Sequence, residues 1–314
     1  MYLKNKWVSF LESDLKKQRR KVLILFFGFL ILVLSIFVSG KVYTRYSREI
    51  SLPIRSVLFD TEKTLYCHFS VDDSISIFED LTNNEYNYKS IFEQPILGFM
   101  KKMHDQYGIK VSFYVFYSWD TTKEIFCLSD ATEKFINEFE NNSDWLRFGF
   151  HAKDALAYEE LTADIENDYY IKTEKELKRI VGEKCIDHFL RLDRYVANKG
   201  IVKELSIHGV NGLLTAPEIS RDSYSLSEDE KQLCYENDWY IDNYSMSYTP
   251  TDIQIENLKN VDEFYESLKT FSSQPRIEIF THEWALNDLN VKKFFEWYAY
   301  SIQKNKVTYS FSKQ

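Results

Sequence analysis

Four short apolar runs in this 314-residue chain end in side chains that can move protons or hold a metal ion. FSVDD delivers Asp72 and Asp73, and LRFGF is followed by His151. DHFLRL is followed by Asp193 and Arg194, with Arg191 just inside the run, and RIEIFT is followed by His282 and Glu283. Amide hydrolysis needs an activated water, a stabilised oxyanion and an acid for the leaving nitrogen, and these residue types supply each of them. Taken singly, each has a plainer use: an Asp after a strand often caps a helix, and a lone His is commonly a satisfied polar group. It is the delivery of Asp, His, Arg and His from four separate strands to one rim that points to a site.

The elements that must position them are legible as short runs rich in β-branched and aromatic residues at 65–71, 110–116, 146–150, 186–192, 210–215 and 276–281. Helix-length stretches with apolar residues at three- and four-residue spacing lie between most of them, at 91–107, 131–139, 162–181 and 261–271. Strand alternating with helix predicts an α/β fold with a parallel sheet closed into a barrel, whose reactive groups sit at the C-terminal ends of the strands. Residues 218–258 break the rhythm, being polar and rich in Tyr, Ser and Asp, and are expected to form an elaborated loop region near the site.

Residues 65–305 resemble the polysaccharide deacetylases, also called NodB-like domains or carbohydrate esterases of family 4. FSVDD at 69–73 is similar to the family's paired-aspartate motif, which implies Asp72 as general base and Asp73 as metal ligand. FGFHAKDA at 148–155 supplies the first metal-binding His of the second motif, His151, but position 155 is Ala where the family has another His. The Arg that orients the base would be Arg191 or Arg194, although the prolines that normally follow are missing. FTHEW at 280–284 fits the motif of the general acid through His282, and NDWYIDN at 237–243 loosely resembles the Asp-Trp motif that lines the family's pocket.

The resemblance implies an irregular (β/α) barrel of the deacetylase type, acting as a metal-dependent hydrolase on the N-acetyl groups of a cell-surface or cell-wall polysaccharide. A divalent metal on Asp73 and His151 would need a third protein ligand. Asp154, three residues after His151, is the first candidate, with His282, Asp252 and Glu256 as alternatives. Such a mixed set suits Zn²⁺ first, then Co²⁺, Ni²⁺ or Mn²⁺. Glu218 and Glu283 would hold neighbouring groups by hydrogen bonding or cap helices. Loss of the second His leaves a different class open, a catalytically silent glycan-binding or assembly protein on the same barrel. Glycoside hydrolysis by two carboxylates such as Asp72 and Glu283 fits the His-containing rim less well.

Residues 22–40 read VLILFFGFLILVLSIFVSG without a charge, and as a helix they would span about 28 Å, enough to cross the hydrocarbon core. The basic segment 1–21 before them predicts a cytoplasmic N-terminus, a stalk at 41–64 and an extracytoplasmic domain on a single-pass cell-membrane protein. Val38-Ser39-Gly40 also offers a signal-peptide cleavage site. Residues 306–314 read as a C-terminal tail. The net charge of −9 includes seven Lys/Arg against two acids in the first 21 residues, so the remainder is more acidic still and unsuited to nucleic acid. Four widely spaced cysteines, with no C-x-x-C pair, read as buried thiols. Aromatic content of 17% suits either a ring-rich core or stacking against sugars.

Overall fold

The chain begins its regular structure with β1 (Tyr66–Asp72), α1 (Ser76–Asn83), α2 (Pro95–Tyr107) and β2 (Val111–Phe116). There follow the antiparallel pair β3 (Ser118–Asp120) and β4 (Ile125–Cys127), then α3 (Ile136–Glu140), β5 (Leu146–Ala152), α4 (Ala163–Val181) and β6 (Phe189–Leu190). The second half holds α5 (Lys199–Ile207), β7 (Gly212–Thr215), α6 (Glu228–Asn237), β8 (Tyr240–Ile241), β9 (Ser247–Pro250) and β10 (Ile253–Gln254). It ends with α7 (Val261–Phe271), β11 (Arg276–His282), α8 (Leu289–Lys304) and β12 (Thr308–Tyr309). This computed structural model describes residues 53, 55–60, 62–64, 66–120, 125–155 and 163–312. The segment 1–21 and the apolar run 22–40 lie outside the described residues, among which no helix is long and apolar enough to cross a membrane.

The central architecture is α/β with parallel strands. One sheet runs β10-β11-β1-β2-β5, with β12 also on β1, and a second runs β6-β7-β9-β8. A parallel bridge between Phe148 and Ile186 joins them on one side. On the other, β9 leads into β10 across Thr251 and Asp252 alone, so the parallel strands follow one another around a ring. Helix starts are written locally: Gln94 accepts from the Ile96 and Leu97 amides, Asn198 from Gly200 and Ile201, and Asn260 from Asp262 and Glu263.

Along β1 the residues alternate. Phe69 faces outward onto Phe295 of α8, with ring centroids 4.6 Å apart, while His68, Ser70 and Asp72 make polar contacts inside the ring. The inward face of β1 is therefore polar along its length. At its floor His68 meets Glu278 through Nδ1 at 2.8 Å and Ser112 through Nε2 at 3.0 Å, and the Ser112 hydroxyl donates to Asp187. The sequence-assigned tail closes this end: β12 pairs with β1, Ser312 donates to Glu278 at 2.7 Å, and the Arg147 guanidinium lies 3.9 Å from the centre of the Phe311 ring.

Two segments differ from expectation. Residues 218–258 contain α6 and three strands, because SYTP is fully buried as the ring strand β9 in spite of its polar composition. The described part of the expected stalk packs on the domain, with Phe59 buried and its amide donating to Asn305 Oδ1 at 3.0 Å. Cys67, Cys185 and Cys234 are buried free thiols, as expected, and Cys127 is half-buried.

Close approach on β7 fixes the strand that carries Arg191. Gly212 pairs with Phe189, whose buried ring would lie 2.0 Å from a Cβ at position 212. Gly212→Ala is expected to lower unfolding free energy by about 1–3 kcal/mol through overpacking, read by urea titration. Wild-type stability in that variant would show that the ring can swing clear.

Candidate metal centre and catalytic cleft

Parallel strands bring their C-terminal ends to one rim, and the register places Asp72 of β1 directly beside His282 of β11. The next residue, Asp73, takes a left-handed backbone with φ 58° as the chain turns towards α1. His151 stands one residue before the end of β5, and Arg191 follows β6, leading into the turn Asp193–Tyr195. Asp72, Asp73, His151, Arg191, Asp193 and His282 all line one open cavity of about 300 Å³.

Asp73, His151 and Asp193 form a group whose ligand atoms lie within 4.8 Å of one another. His151 Nε2 is 3.3 Å from Asp73 Oδ1 and 4.0 Å from Asp193 Oδ1. Its Nδ1 donates to the Arg191 carbonyl at 2.5 Å, which fixes the ring and leaves Nε2 for the carboxylates. The second oxygen of Asp73 accepts from the Trp284 indole N–H at 3.1 Å. Burial disfavours a charged His151, yet the Asp73 hydrogen bond and the charges of Asp72, Asp193 and Asp73 raise its pKa to about 9. Burial also pushes Asp73 up, but the His151 hydrogen bond and the charges of His151 and His282 outweigh it and hold the carboxyl below its ordinary range. A ring kept protonated by surrounding carboxylates marks a point where positive charge is favoured. With metal–ligand bonds of about 2 Å, the three donors are spaced to close on one divalent ion.

Asp72 is held separately. Arg191, 1% exposed, donates through Nη1 to Asp72 Oδ1 at 2.9 Å and to Ser70 Oγ at 2.8 Å, and through Nη2 to Thr251 Oγ1 at 3.2 Å. The guanidinium also lies 4.2 Å from the centre of the Phe280 ring. Across the rim, His282 Nδ1 is hydrogen-bonded to Glu256, which further accepts from Gln254 Nε2 at 2.9 Å and Thr281 Oγ1 at 2.8 Å. Burial lowers the His282 pKa, but the Glu256 hydrogen bond and the charges of Asp72, Glu256 and Asp73 raise it on balance. Glu283 turns away to the start of α1, where Ser76 donates to it through both its hydroxyl and its amide. Burial there lifts the Glu283 carboxyl to about 8, against the pull of the Ser76, Ile75 and Ile77 amides.

The structure thus gathers Asp72, Asp73, His151, Arg191 and His282, and it uses Arg191 rather than Arg194 to hold Asp72. Asp154 lies elsewhere: beyond His151 the strand continues along 117–118, with the Ser118 amide on the Lys153 carbonyl at 2.9 Å, and Asp154 meets Lys153 Nζ at 3.4 Å. Asp193, not Asp154, is the acid grouped with Asp73 and His151. Asp252 is half-buried and its carboxylate accepts from the Glu278 amide at 2.7 Å, and Glu256 serves His282. Trp239 is 51% exposed and is not among the residues lining the cleft. Trp284, with Thr251 and Ser70, completes the support of the two aspartates, and only the position of Trp284 directly after His282-Glu283 hinted at it.

No family model and no curated protein matches the chain. Several solved structures are similar to it. A 4-alpha-glucanotransferase from Thermococcus litoralis matches at 13% identity and a TM-score of 0.49 over 79% of this chain, which spans only 39% of that protein. A Streptococcus mutans CE4 esterase matches at 10% identity and a TM-score of 0.41, over 81% of this chain and 91% of that one. A CE4 family pseudoenzyme from Bacillus anthracis matches at 10% identity and a TM-score of 0.36, over 81% and 66%. CE4 proteins, the class that the sequence motifs resemble, are thus among the structural neighbours, but at these identities and TM-scores none of their chemistry carries over to this chain.

Proposed function

We propose that the cleft is the active site of a metal-dependent hydrolase that removes N-acetyl or related acyl groups from a polysaccharide, with Asp73, His151 and Asp193 as the metal ligands. The observation that carries this reading is the His151 ring, tied by Nδ1 to the Arg191 carbonyl and facing two carboxylates through Nε2. A bound divalent cation, Zn²⁺ by preference and Co²⁺, Ni²⁺ or Mn²⁺ as alternatives, would supply Lewis acidity to water and to the acyl carbonyl. Asp72, oriented by Arg191, takes a proton from the attacking water. His282, whose protonated form is favoured by the Glu256 hydrogen bond, gives a proton to the nitrogen as the carbon–nitrogen bond breaks, releasing the acyl group as a carboxylate and leaving a free amine on the sugar.

The same reading assigns residues 22–40 to a membrane anchor that holds the domain on the extracytoplasmic side of the cell membrane. A reporter fused after Gln314 tests it, since activity of a reporter that works only in the cytoplasm would refute export.

The hydrolase reading is tested by metal analysis and acetate release on N-acetylated glycans. Wild type and Asp154→Asn are expected to hold about one ion per chain, whereas His151→Ala and Asp193→Asn lose it. Their acetate release should fall by more than the roughly 10–100-fold typical of changes to residues that only support a metal ligand. Wild type without metal after incubation with Zn²⁺ or Mn²⁺ would instead mark a silent glycan-binding protein, a reading favoured by Ala155 at the cleft wall.

A further inference from the structure

Trp284 stands at the edge of the cleft with most of its side chain in water. It is 60% exposed and lies outside the cavity itself, yet it touches two residues that line it. Its indole N–H donates to Asp73 Oδ2 at 3.1 Å, and its ring lies nearly parallel to that of His282, with centroids 5.3 Å apart and planes inclined by 21°.

The main chain beneath the ring is fixed as well. On its N-terminal side, the Glu283 amide donates to the Asp72 carbonyl at 2.9 Å and the Glu283 carboxylate accepts from Ser76 at the start of α1. On its C-terminal side, Asn287 Nδ2 donates to the Trp284 carbonyl at 3.2 Å and closes a short turn. The indole is therefore held both at its ring and at its backbone.

A scattered exposed apolar side chain needs no explanation, but an immobilised one beside reacting groups does. Support of Asp73 uses only the N–H, which a smaller amide side chain could supply. With one face on His282 and 60% of the residue still exposed, the opposite face of the indole is left to solvent. A rigid ring of this kind loses little conformational freedom when a ligand covers it. Its electron-rich face suits the C–H groups that make one side of a pyranose apolar.

We infer that Trp284 is a stacking platform for a second sugar of the glycan, the neighbour of the one whose acyl group enters the cavity. The neighbour is the sugar concerned because the indole flanks His282 and Asp73 from outside the pocket that they line. This rests on the reading that the cleft takes a glycan, and it narrows the substrate class from any N-acylated sugar to chains of at least two.

The test uses the full chain loaded with Zn²⁺ and two probes, N-acetylglucosamine and its β-1,4-linked tetramer, followed by calorimetric binding and by acetate release. Wild type is expected to bind the tetramer about tenfold tighter than the monosaccharide, the worth of one good ring contact. Trp284→Ala should lose that preference, whereas Trp284→Phe, which keeps a ring but not the N–H, should retain most of it. The ratio of the two affinities cancels any change at the metal site common to both probes, and circular dichroism checks that each variant keeps its fold. Loss of the preference in both variants would mean that the indole serves only to hold Asp73, and overturns the platform. A preference that survives in Trp284→Ala, equal binding of the two probes by wild type, or binding of neither, overturns it too. A tetramer preference that depends on the ring but brings no acetate release supports the platform and sinks the hydrolase. Acetate release without the preference sinks the platform and leaves the hydrolase standing.

Discussion

Arg191→Met is expected to lower unfolding free energy by about 3–5 kcal/mol, because it strands the Asp72 carboxylate without its counter-ion in a buried site. Asp72 and Arg191 are 3% and 1% exposed at their side chains, so solvent cannot take over the lost partner. The same change removes the donors to Ser70 and Thr251. Acetate release should fall with it by about 10²–10⁴-fold, the usual loss when a general base is no longer presented correctly. Combining Arg191→Met with Asp72→Asn should cost less stability than the sum of the two single changes, since the pair is then removed together. Urea titration of the four proteins reads this directly. A strictly additive cycle would mean that the two residues do not act as a pair.

His282→Ala is expected to lower kcat by about 10²–10⁴-fold, the range for loss of a general acid. The informative companion is Glu256→Gln. Glu256 is one of the groups raising the His282 pKa, so in wild type the protonated imidazole persists to higher pH than a free histidine, and activity falls as pH rises through that raised value. Without the Glu256 charge the imidazole loses its proton earlier, and the alkaline limb of the kcat profile moves to lower pH. Asp72 and Asp73 also favour the charged ring, so the limb should move part of the way rather than collapse to that of free imidazole. An alkaline limb unchanged in Glu256→Gln would remove His282 from the acid role.

The rim was readable because each of its members follows a strand whose apolar run is unmistakable, as in YCHFSV before Asp72-Asp73 and RIEIFT before His282. The third member of the group around His151 was not, because closeness along one strand does not decide which carboxylate faces that ring. Asp154 is close to His151 in sequence, but the chain beyond β5 pairs along 117–118, while Asp193 arrives beside His151 from the next strand around the ring. Only the closure of the sheet creates that neighbour. Strand β9 escaped for a related reason. Its SYTP sequence is polar, and it is a strand because the ring interior accepts hydroxyls, as Thr249 does in receiving the Arg276 guanidinium at 2.6 Å. A polar barrel interior weakens the alternation of apolar and polar residues that marks a strand against an oily core.

The pairing of β1 with β11 and β12 has a consequence for how the protein is made. His68 waits 210 residues for Glu278, so one side of the first strand stays open while nearly the whole domain is being synthesised. At about 5–20 residues per second that interval is roughly 10–40 s on the ribosome. Throughout it β1 offers an unpaired edge, the feature through which nascent chains join one another. Non-local pairing of this kind is also slow to form once the segments are present. The residues that complete the floor, Phe311 and Ser312, therefore act late in biogenesis, converting an aggregation-prone intermediate into a ring whose first strand is covered on both sides.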